Sequence, residues 1–424
     1  MTHSARDQPQ LKRSHMLTLA SIAAMAGAFA LAAPTTSPQP KADAHVDAPS
    51  FQVISDTEII ADGHTFTSWN DLYESGYYGF EDNRCGTHPI IDPAFDAQRG
   101  SNDCTYSRTV IRAEYNPSVA LYRIPVVVHI IQSSNGTGSM PDSRAISQIE
   151  ILNEDFQALA GSNGAPGNDG QIEFYLATED PNGNPTTGIT HSTNTTWYND
   201  GGSYYNTLAW DTNRYLNIYT NSASGALGYV PDLPQGGISG SNADRVVILH
   251  STFGRNAPFN PFNLGRTVTH EVGHYLGLYH TFDNGCGSSS CYTTGDRICD
   301  TNGESSPTFG CPNNRNSCGG TAPFHNYMDY SDDVCMNQFT IEQNNRMRCS
   351  LLTYRPDLYT IAGGNGACSD ADLSAPFGVL DFFDVSAFLG AFSLGESVAD
   401  MNNDGVFNFF DVSDFLSIFG EGCP

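Results

Sequence analysis

From Tyr122 onward the chain alternates short apolar runs with apolar positions at helical spacing. Ile124-Pro125-Val126-Val127-Val128-His129-Ile130-Ile131 is almost continuously apolar, which predicts a buried strand. Between Ser143 and Leu159 the residues Ile146, Ile149, Leu152, Phe156 and Leu159 recur close to the helical period, so this segment predicts a helix. Further strands are predicted over Gln171–Ala177, Tyr215–Thr220 and Arg245–His250. Gly225–Val230 predicts a glycine-interrupted edge strand, to which an extended peptide can add by main-chain hydrogen bonds. Thr340–Leu352, with Ile341, Met347 and Leu351, predicts a closing helix. Strands and helices mixed in this order predict an α/β (α+β) fold, a twisted mixed sheet over a helix. Between residues 281 and 340 the pattern gives way to Gly, Asn, Asp and Cys, which predicts a loop-rich lower lobe stapled by disulfides.

The helix beneath that sheet carries the candidate chemistry. In the stretch Thr269 to His280, His270 and His274 lie one helical turn apart on the same face. Two imidazoles at that spacing reach one tetrahedral ion. Glu271 projects beside them, placed to take a proton from a water on the metal. Gly277 suits the left-handed conformation that ends a helix, and the returning chain brings in His280 as third ligand. Three protein ligands and an open fourth position describe a catalytic zinc rather than a structural one. Downstream, Asn326-Tyr327-Met328-Asp329-Tyr330 offers Met328 as an apolar, polarizable floor and Tyr330 as a hydroxyl for a tetrahedral oxyanion. His129, His191, His250 and His325 lack ligand spacing and read as packing or surface residues.

Composition places this chemistry outside the cell. Lys12 and Arg13 precede an apolar run from Met16 to Ala33 that ends in small residues, as an export signal does. No segment reads as a membrane span of the mature chain. Eleven cysteines imply a disulfide framework with at least one thiol left over. A net charge of −27 argues against nucleic acid as a partner. Cys85, within Arg84-Cys85-Gly86, is the candidate leftover thiol: its thiolate can fill the open zinc position and hold the enzyme latent. The competing reading pairs Cys85 with Cys104.

After Gly363 an acidic, Phe-rich tail repeats itself. Gly378-Val379-Leu380-Asp381-Phe382-Phe383-Asp384-Val385-Ser386 recurs as Gly405-Val406-Phe407-Asn408-Phe409-Phe410-Asp411-Val412-Ser413. Oxygens of Asp400, Asn402, Asp404 and Asp411, with the Val406 carbonyl, fit a calcium loop that turns at Gly405. The first copy lacks acids at its opening positions, Leu373, Ala375 and Phe377. The Phe-Phe and Phe-Leu pairs read most simply as this small domain's core.

The zinc motif, Leu278-Tyr279-His280-Thr281-Phe282, Gly295-Asp296…Asp300-Thr301 and Asn326-Tyr327-Met328-Asp329-Tyr330 together resemble the pappalysin/cytophagalysin metzincins. The tail resembles dockerin type I repeats. The first resemblance implies a metzincin fold and a secreted zinc endopeptidase made as a latent zymogen, acting on proteins or peptides. His270, His274 and His280 would bind zinc, Glu271 would be the general base, Tyr330 a transition-state stabiliser and Cys85 the latency ligand. It also implies the disulfides Cys286–Cys311 and Cys318–Cys335, with a local Cys291–Cys299 bridge as a guess, and calcium in the lower lobe with Asp296 and Asp300 as candidates. The second implies a helical calcium module with a cell-surface or cohesin-like partner. The domains follow as a signal peptide (1–32), a propeptide with the cysteine switch (33–111), a catalytic domain (112–362) and the repeat module (363–424), with release near Arg108 or Arg112. The rival expectation is a secreted, surface-associated binding protein that uses the protease fold as a platform for its tail.

Overall fold

The computed structural model describes residues 51–55, 57–61, 63–75, 84–87, 104, 121–362 except 289 and 293, and much of 369–422. The export signal, Arg108, Arg112, Cys368, Asp404 and Cys423 lie outside the described residues. Among the described residues, no helix is long and apolar enough to cross a membrane.

Three short antiparallel strands open the described chain: β1 (Phe51–Ser55), β2 (Glu58–Ala61) and β3 (His64–Phe66), followed by helix α1 (Trp69–Ser75). The main sheet is built on β4 (Leu121–Gln132), longer at both ends than the apolar run predicts. Tyr122, Ile124, Val126, Val128 and Ile130 face the principal core, while Val127 and Ile131 enter smaller clusters on the other side. Covering both faces explains why β4 reads as continuous rather than alternating. Each fully buried aliphatic here contributes about 1.5–3 kcal/mol. Helix α2 spans Asp142–Phe156 and buries Ala145, Ile149, Leu152 and Phe156. Ile146 and Leu159, predicted to share that face, are exposed instead, because the helix ends at Phe156 and Ile146 lies off the inward stripe.

Strands β5 (Ile172–Leu176) and β6 (Ile189–Thr193) pair in parallel with successive halves of β4. β7 (Leu216–Asn221) lies parallel beside β4, with Val128 opposite Ile218. Next come the edge strand β8 (Gly228–Tyr229) and β9 (Val246–Leu249), where β9 is parallel to β7 and β8 antiparallel to β9. Helix α3 (Arg266–Tyr275) follows and is completely buried. Helix α4 (Ile341–Tyr354) starts at a Thr340–Gln343 capping box, and β10 (Thr360–Ala362) returns to pair antiparallel with the start of β4. Met347 and Leu351 of α4 are buried as predicted; Ile341, in the first turn, is exposed. The sheet order β10-β4-β7-β9-β8 leaves the two-residue β8 at the free edge.

The lower lobe is stapled, but not in the expected register. Cys286 bonds Cys318 and Cys311 bonds Cys335, replacing the expected Cys286–Cys311 and Cys318–Cys335 pairs. A tight hairpin joins Asn316–Ser317 to Gly320–Thr321, and Cys318 in its turn has φ 51°. That turn brings the Cα of Cys318 to 5.4 Å from that of Cys286. Pairing follows such Cα approach, which sequence order does not reveal. Cys291–Cys299 forms as a local bridge. Cys104 bonds Cys349 on α4, so it is not the partner of Cys85.

In the tail, α5 (Phe382–Leu394) and α6 (Phe409–Glu421) occupy corresponding places in the repeat. Phe388 and Phe415, also corresponding, stack with centroids 4.1 Å apart and form the centre of a small core. Phe382, Phe409, Phe410, Leu389 and Leu416 are exposed, so these members of the Phe and Leu pairs are not core. Two helices this short have only one inward stripe each.

Candidate active site

Asp333 begins the site: its Oδ2 accepts from the Leu264 and Arg266 backbone N–H groups at 2.8 and 3.2 Å and so caps the entry to α3. One turn on, His270 and His274 project together, and the helix stops at Leu276. Gly277 has φ +93°, and a Cβ there would lie 2.5 Å from Ser350 Oγ, so both conformation and space require glycine. The return delivers His280. Gly273, inside the helix, has a different reason: a Cβ there would lie 2.5 Å from Met328 Sδ. Met328 and α3 are therefore in direct contact.

The three imidazoles are fixed from behind. His270 Nδ1 donates to the Tyr327 carbonyl at 2.7 Å and His274 Nδ1 to the Leu278 carbonyl at 2.8 Å. His280 Nδ1 faces the Asp283 carboxylate at 3.4 Å. Carbonyls only accept, so the protons of His270 and His274 sit on Nδ1 and their Nε2 atoms carry lone pairs. His274 Nε2 lies 3.1 Å from His270 Nε2 and 3.0 Å from His280 Nε2. Converging lone pairs at that separation repel unless a cation lies among them; the donor set fits zinc. Burial and the neighbouring imidazoles push His270 well below its usual range, which favours the same neutral form.

Cys85 completes the group: one ligand atom from each of Cys85, His270, His274 and His280 falls within 4.8 Å of the others. Its thiol is free and buried, and burial with the nearby Glu271 pushes its pKa well up. The adjoining residues were not all anticipated. Gly86 N–H donates to Gly228 O of the edge strand at 2.9 Å. Thr87 Oγ donates to Glu271 Oε2 at 3.1 Å and accepts from Val230 N–H at 2.8 Å. Arg84 is wholly buried, bonded to Thr267 Oγ1 at 3.2 Å, 3.8 Å from Asp333 Oδ1 and 4.6 Å over the Phe262 ring. Their adjacency to Cys85 in sequence was the available signal.

Glu271 is fully buried, with the Cys85 thiol and the Thr87 hydroxyl beside its carboxylate, and burial pushes its pKa up to about 8. Gly228 gives it room: a Cβ there would lie 2.8 Å from Glu271 Cγ. The Tyr330 hydroxyl stands 3.3 Å from His280 Nε2. Behind the site, Asp155 of α2 accepts from Tyr327 OH at 2.7 Å and Thr269 OH at 2.6 Å, and lies 3.1 Å from Arg266 Nη2. Only its place beside Leu152 and Phe156 on an inward helix face hinted at a role. The other histidines stay apart: His129 bonds Thr190 and Asn217, His191 bonds Asp142, and His325 bonds the Cys335 carbonyl.

Comparison with known proteins bears directly on this geometry. Residues 187–352, which include all three histidines and the Met328 turn, match the family Peptidase M43, described as pregnancy-associated plasma protein-A. An extracellular metalloprotease of Colletotrichum graminicola is 37% identical over 248 residues, covering 56% of this chain and 79% of the relative. The chain belongs to the M43 peptidase family. Extracellular metalloprotease 1 of Coccidioides posadasii is 35% identical over 257 residues, covering 57% of this chain and 82% of its own. Promirolysin of Tannerella forsythia, solved as a point mutant, aligns with TM-score 0.54 and 33% identity over 65% of this chain and 96% of that one. The M43 chain described here is thus an extracellular metalloprotease with a mixed α/β, metzincin-like fold, and its alignment to a pro-form accords with a zymogen.

Proposed function

We propose that His270, His274 and His280 hold a catalytic zinc, that Glu271 is the general base of a secreted endopeptidase, and that Cys85 keeps it latent. The observation that carries the reading is the convergence of three Nε2 atoms whose imidazoles are fixed from behind. A bound zinc would supply Lewis acidity, lowering the pKa of a water and polarising the scissile carbonyl. Glu271, buried on α3 next to His270, is suited to take the proton from the attacking water and pass it to the leaving amine. Tyr330 OH would donate to the oxyanion. Gly228 O, which accepts from Gly86 N–H, is available to the backbone of an extended substrate once Gly86 is out of the cleft. Met328 and Gly277 hold the ligands in place.

The domain divisions at 32, 111 and 362 belong to the same reading. For the tail, we infer one calcium loop formed by Asp400, Asn402, Asp404, Val406 and Asp411. Asp411 is fully buried with Oδ1 unpartnered among the described residues, Asp400 Oδ2 accepts from Gly405 N–H at 2.8 Å, and residues 363–424 contain no Lys, Arg or His to balance buried carboxylates. The repeated exposed pairs Phe382/Phe409 and Leu389/Leu416 favour a dockerin-like role with a protein partner at a cell surface. Cleavage of unfolded casein by the processed protein, with and without a zinc chelator and in Glu271→Gln, tests the central claim. Loss of cleavage in both arms is expected; cleavage that survives either one refutes it.

A further inference from the structure

The leader is attached to the catalytic body in two chemically different ways. At one end Cys85 meets the three imidazoles. About twenty residues later Cys104 is bonded to Cys349, in the body of helix α4. Cys104 is buried, its partner Cys349 is half-buried, and the exposed Thr353 places its Oγ1 3.3 Å from the Cys104 sulfur. Arg108 and Arg112, where release is expected from the sequence, both follow Cys104.

Hydrolysis at either arginine adds one water across one peptide bond and leaves the disulfide untouched. The upstream fragment, with Cys85, therefore remains part of the same covalent molecule. We propose that Cys104–Cys349 is a retaining strap: processing C-terminal to Cys104 yields a two-chain, disulfide-linked protein whose latency segment is not released. The inference rests on reading Cys85 as the latency thiol. Tethered this way, Cys85 returns to its site from an effective concentration on the order of millimolar, whatever the dilution. Noncovalent packing adds to this, since Trp69 stacks on Phe259 at 4.9 Å and Leu72 lies in the same cluster as Leu249 and Phe262. A processed enzyme that is free of its leader and still oxidised must then have been cut on the N-terminal side of Cys104.

The test uses the full chain in a Glu271→Gln background, which prevents self-cleavage, with a site-specific protease sequence inserted between Arg112 and Ala113. One version keeps both cysteines; the other carries Cys104→Ser and Cys349→Ser. After cutting and dilution to about 10 nM, gel filtration and electrophoresis with and without reductant follow the leader. Maleimide labelling, mapped by mass spectrometry, follows Cys85. The strapped protein should stay one species until reduced, and its Cys85 should label at least about 100-fold more slowly than in the serine variant, whose leader elutes separately. Escape of the leader from the strapped protein without reductant overturns the proposal, and so does retention of the leader by the serine variant. Failure of the underlying reading looks different. Cys85 of the uncut chain would then label equally fast with and without a zinc chelator, while the gels still report on the strap.

Discussion

Removing the hydrogen bond between Tyr327 and Asp155 should loosen zinc without unfolding the protein. Tyr327 does two things at once: its carbonyl accepts from His270 Nδ1 at 2.7 Å, and its hydroxyl donates to Asp155 Oδ1 at 2.7 Å. Asp155 also holds Thr269, the residue before His270, through a 2.6 Å bond. The carboxylate on α2 thus orients His270, a zinc ligand in the proposed reading, through two neighbours. Tyr327→Phe deletes one bond and little volume, so the expected loss of stability is about 1–2 kcal/mol. Partners of this kind usually affect metal affinity about 10–100-fold. Asp155→Ala goes further and strands Arg266, which is 1% exposed, without its acid. That costs about 3–5 kcal/mol and lowers Tm by on the order of 10 °C. Competition against a chromophoric chelator measures the zinc affinity of each variant, and thermal unfolding of the metal-free protein measures stability separately. If Tyr327→Phe loses stability but keeps wild-type zinc affinity, Asp155 supports the fold alone and the positioning argument is wrong.

Four further outcomes follow from the same geometry. Tyr330→Phe should lower kcat by about 10²–10³-fold with KM little changed, whereas an unaltered kcat removes the hydroxyl from the transition state. Cys85→Ala should accumulate as spontaneously processed, active enzyme; a variant as silent as wild type makes Cys85 structural. Gly273→Ala places a methyl against Met328 Sδ, so overpacking of about 1–3 kcal/mol should outweigh the helix-propensity gain of about 1 kcal/mol, and denaturant midpoints decide. Burial pushes Asp155 up to about 6, from 3.8 in the unfolded chain, so its contribution is full below about pH 4 and lost as pH rises through 6. The metal-free protein should lose about 3 kcal/mol of stability over that window, and a profile equally steep in Asp155→Asn refutes the assignment.

The convergence of the three histidines was legible in the sequence because the parts are local. His270, Glu271 and His274 share one helical turn, and Gly277 and His280 follow within the next two. The strand β4 was legible for a similar reason: a run apolar on both faces has few other homes. Tertiary structure alone decided what depends on distant segments meeting. Asp155 reaches Tyr327 across 172 positions, and Thr87 reaches Glu271 across 184. Neither spacing leaves a periodic trace. The disulfide register was decided by a hairpin turn at Cys318, and the link from Cys104 to Cys349 by the meeting of two positions 245 apart in sequence. Periodicity reports which face of an element is apolar; it does not report which other element arrives to cover it.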